Sequence, residues 1–263
     1  MGDEQLLLAD PGMAAATSGY VSEMWHHDAP VIHRDSYIIE VSSTVRLEGE
    51  LWRPRSPVGL IVFVHGSGSS RASARDRYVA ELLHRAGLGT LLIDLLTVEE
   101  VNGIHERFAV EAFGDRVTPM IDRLVDDPRI DEPIGLFAVD TGAVAALSAA
   151  AARPDLVGAI VCRSGRPDLA GDALGSLIRP LLMIVGADDE PVLGFNRASL
   201  PTLPEGSALE IVPGASHLFD QPGALDAAAE RATAWFIHHL DGGSLSTDGQ
   251  GAERLTDRSP ISW

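Results

Sequence analysis

Acidic side chains and a histidine follow the predicted strands in the second half of the chain. Asp140 directly follows the first of four apolar runs, Asp188 and Asp189 follow the third, and His217 follows the fourth. Because the carboxyl ends of parallel strands share one edge of a sheet, we expect these side chains to meet there. A carboxylate next to a histidine that is oriented by a second acid can perform nucleophilic or acid–base catalysis.

The segment around Asp140 has the pattern of a sharp turn from a strand into a helix. Ala138-Val139-Asp140-Thr141-Gly142 joins an apolar run to the alanine-rich stretch Gly142–Ala152. A turn of the Gly-x-Ser-x-Gly type needs small residues around the nucleophile, because the helix packs closely on the strand. Ala138 and Gly142 meet this need, and the central residue is aspartate. The pattern predicts Asp140 as a nucleophile; the simpler alternative is a helix N-cap.

A glycine-rich loop follows the apolar run Gly59–Val64. His65-Gly66-Ser67-Gly68-Ser69-Ser70-Arg71 would let backbone N–H groups approach a ligand closely. A phosphate-binding loop is the competing interpretation, but no Gly-Lys-Ser/Thr follows at the required spacing. We therefore predict that this loop, Gly66 included, lies against the substrate.

The elements that must position these loops alternate between strand and helix. Two predicted strands form a hairpin, and six further runs are apolar enough to be buried on both faces. Four segments have helical composition or spacing. The sequence predicts an α/β fold with a mostly parallel eight-stranded sheet flanked by helices and no large cap domain. The predicted strands are Tyr37–Val41, Val45–Trp52, Gly59–His65, Thr90–Leu95, Ile134–Val139, Val157–Cys162, Leu181–Val185 and Leu209–Val212, and the predicted helices are Ala72–Ala86, Glu106–Val125, Gly142–Ala152 and Ala224–Leu240.

The predicted domain covers residues 37–240, and the two ends of the chain differ from it in composition. Residues 1–36 read as an N-terminal extension, and one hypothesis is that it covers the site as a lid. Residues 241–263 are rich in Gly, Ser, Asp and Arg and are interpreted as a flexible tail. No apolar run approaches the roughly 20 residues of a membrane helix, and the acidic start does not resemble a signal peptide.

The net charge and the single cysteine limit the classes of binding partner and the compartment that we expect for this protein. The formal net charge of −18 disfavours nucleic acid and anionic membrane surfaces, and leaves a small-molecule substrate as the expected partner. The single cysteine, Cys162, lies in an apolar run and is expected to be inert. We expect a cytoplasmic protein without metal or cofactor. Whether it forms a homodimer stays open.

Several segments together resemble the dienelactone hydrolase-like branch of the α/β-hydrolase superfamily, from about Val45 to Leu240. That family usually has Gly-Ala-Ser-Thr-Gly at the turn, whereas this chain has Asp140 there. The resemblance implies a catalytic triad of Asp140, His217 and one acid. The family spacing Gly-x-x-Asp, with valine three residues on, selects Asp189 over Asp188. The segments that carry the resemblance are His65–Arg71, Arg77–Ala80, Leu92–Thr97, Gly165–Gly171 and Val212–Phe219.

An aspartate nucleophile points to a reaction at saturated carbon. Its carboxylate can displace a leaving group and form an alkyl ester, which water activated by His217 then hydrolyses. The backbone N–H groups of Ser67 and Thr141 are predicted to form the oxyanion hole. We favour epoxide opening over halide displacement, because superfamily dehalogenases typically have Trp where this chain has Thr141.

Tyrosine, histidine and arginine side chains are the candidates for contact with the substrate. An epoxide hydrolase of this superfamily typically protonates the opening oxygen with tyrosines of a cap domain, and here Tyr78 and His105 are the candidates. Arg71, Arg163 and Arg166 could bind a substrate carboxylate or pair with acids of the protein. The other functions that remain open are a non-hydrolytic cyclase, eliminase or isomerase, an ester or lactone hydrolase, and a non-catalytic binding module.

Overall fold

The protein was analysed as a computed structural model that describes residues 31–66, 69–97, 99–100 and 110–241. Ser67 and His105 lie outside the described residues, as do most of the predicted N-terminal extension and all but the first residue of the predicted tail. Within the described part, no helix is long and apolar enough to cross a membrane.

The described residues form one eight-stranded sheet in the order β1-β2-β4-β3-β5-β6-β7-β8. β2 runs antiparallel to both of its neighbours, and the pairs from β4 to β8 are parallel. This confirms the predicted fold class. The strands are β1 His33–Glu40, β2 Arg46–Arg53, β3 Leu60–Val64, β4 Gly89–Ile93, β5 Ile134–Val139, β6 Val157–Arg163, β7 Leu181–Gly186 and β8 Ala208–Val212.

Helices cover both faces of the sheet, because the central strands are apolar on both sides. Leu60, Val62 and Val64 of β3 pack into one core layer, while Ile61 and Phe63 pack into the other. α2 and α3 contribute to the first layer and α1 and α6 to the second. The helices are α1 Ala74–Arg85, α2 Val110–Val125, α3 Gly142–Ala152, α4 Asp172–Gly175, α5 Glu190–Ser199 and α6 Ala224–Leu240, with 3-10 turns at Pro167–Ala170 and Leu200–Thr202.

The start of β1 and the helix α5 are among the differences from the sequence prediction. β1 begins at His33, four residues before the predicted start, because the polar stretch His33–Ser36 pairs with β2 through its backbone without an apolar pattern. The helix Glu190–Ser199 was not predicted, since Pro191 and Gly194 lower its apparent helix propensity. Pro191 is in the first turn, where its missing N–H costs little.

Candidate active site

Asp140 occupies a sharp turn between β5 and α3. Its φ of +51° lies in the left-handed region, which is uncommon for a residue with a side chain. Gly142 makes the turn possible, because a Cβ there would lie 2.7 Å from the carbonyl oxygen of His65 and closer still to that of Val64. α3 therefore begins in direct contact with the end of β3, as the small-residue pattern predicts.

Gly66 lies against this turn from the neighbouring loop. A Cβ on Gly66 would lie 3.1 Å from Oδ2 of Asp140 and 3.0 Å from Oγ1 of Thr141. The structure thus brings together Gly66, Asp140 and Thr141, all of which were predicted site residues. Ser67, the other predicted oxyanion donor, lies outside the described residues.

His65 holds the loop in this position and was given no role by the sequence analysis. Its Nε2 accepts the Leu95 backbone N–H at 3.1 Å, and its Nδ1 lies 3.0 Å from the Gly66 carbonyl oxygen. With Nε2 acting as an acceptor, Nδ1 carries the proton and donates to Gly66. The buried ring of His65 therefore links the loop to the end of β4.

His217 and Asp189 form a hydrogen-bonded pair on the same edge of the sheet. His217 Nδ1 lies 2.7 Å from Asp189 Oδ2. The Asp189 side chain is 9% exposed and that of His217 39%, so the acid is buried beneath a ring that solvent can reach. Asp188 is exposed, and its backbone N–H donates to the Ala215 carbonyl oxygen instead. The contact favours Asp189 as the acid, as the family spacing predicts.

The loop that carries His217 packs tightly on the end of β7. A Cβ at Gly186 would lie 2.7 Å from the Ser216 carbonyl oxygen, so this position needs glycine for close approach of two backbones. The Ser216 N–H donates to the Gln221 side chain at 2.9 Å. These contacts fix the loop around its histidine.

Arg163 and Tyr78, both predicted substrate contacts, are engaged with other side chains of the protein. The Arg163 side chain is only 4% exposed; its Nη2 contacts Asp76 Oδ1 at 3.3 Å, and burial lowers the pKa of the guanidinium. It lies among the rings of the core, which is why it is not available to a substrate. The Tyr78 hydroxyl donates to Asp226 of α6 at 2.6 Å, which raises the pKa of Tyr78.

Arg71 is also engaged within the protein, although it lines a groove. Its guanidinium binds Asp94 and, at 3.2 Å, Glu48. The groove encloses about 330 Å³ beside the ends of β2 and β4. His105, the other predicted substrate contact, lies outside the described residues.

Arg166 interacts electrostatically with Asp140. Its Nε and Nη2 donate to the Asp168 carboxylate at 2.8 and 2.7 Å, and its guanidinium lies 4.0 Å above the Phe195 ring. The Asp168 carboxylate, and less strongly that of Asp140, raises the pKa of Arg166. Arg166 is therefore held in a set orientation within electrostatic reach of Asp140.

Three large apolar side chains are exposed on the segments that carry or contact these groups. Leu218 directly follows His217, Phe195 packs under Arg166, and Leu169 lies on the adjoining 3-10 turn; their exposed fractions are 47%, 39% and 50%. We call Leu169, Phe195 and Leu218 the apolar rim. Such exposure near reactive groups is typical of a surface that receives an apolar ligand.

Thiol chemistry and metal binding are the two other kinds of site considered in the described part of the chain. Cys162 is buried, and burial raises the pKa of its thiol to about 12. No group of three or more His, Cys, Asp or Glu side chains with metal-binding geometry occurs among the residues that the structure describes.

Comparison with known proteins identifies relatives over about four fifths of the chain. No family model matches the sequence. The crystal structure of a dienelactone hydrolase from Anabaena variabilis is 46% identical with a TM-score of 0.75, and the match covers 79% of this chain and 99% of that one. Est1E of Butyrivibrio proteoclasticus, at 16% identity and a TM-score of 0.66 over 78% of this chain and 98% of its own, shows the shared fold alone.

The curated relatives are longer proteins. Two proteins from strains of Mycobacterium tuberculosis, both named as candidate phosphoribosyl transferases, are 47% identical over 210 residues. The match covers 80% of this chain but only 47% of theirs, so the chain spans about half the length of these relatives. Their name describes proteins about twice as long as the shared region. The nearly complete match to the Anabaena variabilis enzyme decides the family: the chain belongs to the dienelactone hydrolase family of the α/β-hydrolase fold.

Proposed function

We propose that the protein is a hydrolase that opens an epoxide on a small apolar substrate through an alkyl ester on Asp140. The single observation that carries this proposal is a carboxylate at the left-handed turn between β5 and α3, where the fold presents its nucleophile. The paired His217 and Asp189 on the same sheet edge support it. Membership of the dienelactone hydrolase family supports the broader class of hydrolase.

In the first step the Asp140 carboxylate attacks one epoxide carbon. The carbon–oxygen bond of the ring breaks, an ester forms on Asp140, and the leaving oxygen takes up a proton from solvent water. An ionised carboxylate needs no base to activate it, unlike a serine hydroxyl.

In the second step His217 removes a proton from water, and the resulting hydroxide attacks Cγ of Asp140. The tetrahedral intermediate places its negative charge near the backbone N–H of Thr141, with Ser67 as the predicted second donor. Collapse of the intermediate breaks the bond from Cγ to the alcohol oxygen, which takes the proton back from the His217 imidazolium and leaves as the diol. The Asp140 carboxylic acid then loses its proton to solvent, which restores the carboxylate. Asp189 stabilises the imidazolium that forms on His217.

The apolar rim favours a substrate with a hydrophobic body. Leu169, Phe195 and Leu218 would each lose exposed apolar area to such a ligand, and that loss stabilises binding by about 25 cal/mol for each Å². Tyr78 is disfavoured as the donor that protonates the opening oxygen, because its hydroxyl already donates to Asp226.

The loss of Tyr78 as a donor makes halide displacement the second candidate. A halide leaves as an anion and needs no proton, so this reaction uses Asp140, His217 and Asp189 without a further acid. Ester or lactone hydrolysis, suggested by the name of the Anabaena variabilis enzyme, would require Asp140 to act as a base or to form an anhydride, which is a poorer route.

The test is a single-turnover reaction in ¹⁸O-labelled water with the enzyme in excess. Epoxides, alkyl halides and esters with apolar substituents serve as substrates, and mass spectrometry follows the Asp140 peptide. Asp140→Asn and His217→Gln are the comparison variants. We expect label in Asp140 during epoxide turnover, and an alkyl adduct that persists in His217→Gln.

Each other outcome removes part of the proposal. Label in Asp140 with halides alone would replace epoxide opening by halide displacement. Turnover without label would make Asp140 an acid or a base, as in a cyclase, eliminase or isomerase. If no substrate of any class turned over or formed an adduct, a binding module would replace the enzyme.

A further inference from the structure

The segment after β6 connects the two halves of the proposed active site. The Arg163 carbonyl oxygen accepts the Asp140 backbone N–H at 3.2 Å. The next residue, Ser164, donates its hydroxyl to the His217 carbonyl oxygen at 3.0 Å. Two adjacent residues thus contact the backbones of the predicted nucleophile and of the predicted base.

Ser164 adopts a backbone conformation that its residue type disfavours. Its φ is +47°, and it is 1% exposed. Among the described residues other than glycine, only Asp140, Ser164 and Phe219 have positive φ, and all three lie at this edge of the sheet. Such conformations persist where the surroundings over-determine them, and they cluster at functional sites.

The surroundings of Ser164 explain how the conformation is held. Its N–H donates to the Ile184 carbonyl oxygen of β7 at 2.9 Å. The Gly165 carbonyl oxygen accepts the buried Asn196 amide at 2.9 Å, and a Cβ on Gly165 would lie 2.9 Å from that of Ala143. The segment is fixed on both sides, so the Ser164 hydroxyl has a fixed position from which to hold the His217 loop.

Glycine would relieve the backbone strain at this position but would lack the hydroxyl. We propose that Ser164 is a positioning residue, whose hydroxyl holds the His217 backbone at the distance from Asp140 that the second step requires. This inference rests on the proposed function, since it assigns Ser164 to the hydrolysis of the Asp140 ester. Ester formation does not use His217 and should not depend on Ser164.

Two substitutions separate the hydroxyl from the backbone strain. Ser164→Gly removes the hydroxyl and relieves the left-handed conformation. Ser164→Thr keeps the hydroxyl and adds a β-branch that this conformation disfavours. Ser176→Gly is a matched control, because Ser176 also donates its hydroxyl to a backbone carbonyl, that of Asp172 at 2.9 Å, but at an exposed position directly after α4.

We expect Ser164→Gly to slow hydrolysis of the Asp140 ester without lowering the melting temperature, and Ser164→Thr to do the reverse. Ser164→Gly should leave the melting temperature close to that of the parent protein, while ester hydrolysis slows about tenfold, equivalent to about 1.4 kcal/mol and to one hydrogen bond. Its Asp140 adduct should accumulate while the rate of adduct formation stays unchanged. Ser164→Thr should melt at a lower temperature and hydrolyse its adduct at the parent rate. Ser176→Gly should do neither. A role in folding alone would instead lower the rate and the melting temperature together.

A readout independent of the substrate keeps this inference separate from the proposed function. The proton between His217 Nδ1 and Asp189 Oδ2, at 2.7 Å, should give a downfield NMR resonance. We expect this resonance to broaden or shift in Ser164→Gly and to return in Ser164→Thr. An unchanged resonance together with unchanged adduct hydrolysis would overturn the inference. Absence of any adduct in the parent protein and in His217→Gln would overturn the proposed function instead.

Discussion

Replacing Gly142 by alanine should disrupt the turn that presents Asp140. A Cβ at this position would lie 2.7 Å from the His65 carbonyl oxygen and closer still to that of Val64, whereas ordinary contacts begin at 3.4 Å. Both obstacles are backbone atoms at the end of β3, and they cannot rotate away as a side chain can. α3 and β3 must therefore separate by at least about 0.7 Å.

The size of the effect follows from this displacement. Forcing an extra methyl group into a close-packed contact typically costs about 1–3 kcal/mol, and the gain in helix propensity, at most about 1 kcal/mol, offsets only part of it. Asp140 and Gly66 lie on the two sides of the separated contact, so their relative positions change. A misplacement of about 1 Å between reacting groups can lower the rate about 100-fold.

Urea unfolding and the rate of Asp140 adduct formation measure the two effects. Gly114→Ala is the matched control, because Gly114 lies inside α2 with nothing within 4 Å of a Cβ. The control should be more stable by up to about 1 kcal/mol and should keep its activity. If Gly142→Ala were as stable as the parent protein and equally active, the close approach of α3 to β3 would be refuted.

Three further predictions concern charged and titratable groups. Burial lowers the pKa of His84 from its ordinary 6.5 to about 4. Between these pH values the unfolded chain binds a proton at His84 that the folded protein does not bind. The free energy of unfolding should therefore fall by roughly 3 kcal/mol as the pH drops from about 6.5 to about 4. Urea titrations should show a smaller loss in His84→Gln, and an equal loss would rule out His84 as its source. Asp189→Asn should lower turnover at least about 100-fold, because Asp189 contacts His217, whereas Asp188→Asn at the exposed neighbour should leave turnover nearly unchanged. Equal losses of turnover in steady-state assays would contradict the assignment of Asp189 as the acid. Asp76→Ala should cost several kcal/mol, because it leaves the buried Arg163 guanidinium unpaired, whereas Arg163→Met combined with Asp76→Leu removes both buried charges and should cost less; a larger loss in the double variant would argue against this account.

The sequence by itself was sufficient to predict the sheet and the residues at its carboxyl edge. Continuous apolar runs such as Leu60–Val64 and Leu181–Gly186 must be buried on both faces, which requires a largely parallel sheet between two helical layers. Small residues around Asp140 indicated the close packing of α3, and local spacing selected Asp189. These features depend on periodicity and on local sterics, both of which the sequence carries directly.

The tertiary structure alone decided which charged groups are free to meet a substrate. Arg163 and Tyr78 were predicted to contact it, but their partners, Asp76 and Asp226, lie 87 and 148 residues away along the chain. The role of Ser164 depends in the same way on His217, 53 residues later. Hydrogen bonds and ion pairs between distant segments leave no periodic pattern in a single sequence, because their energy depends on a geometry that exists only once the sheet has assembled.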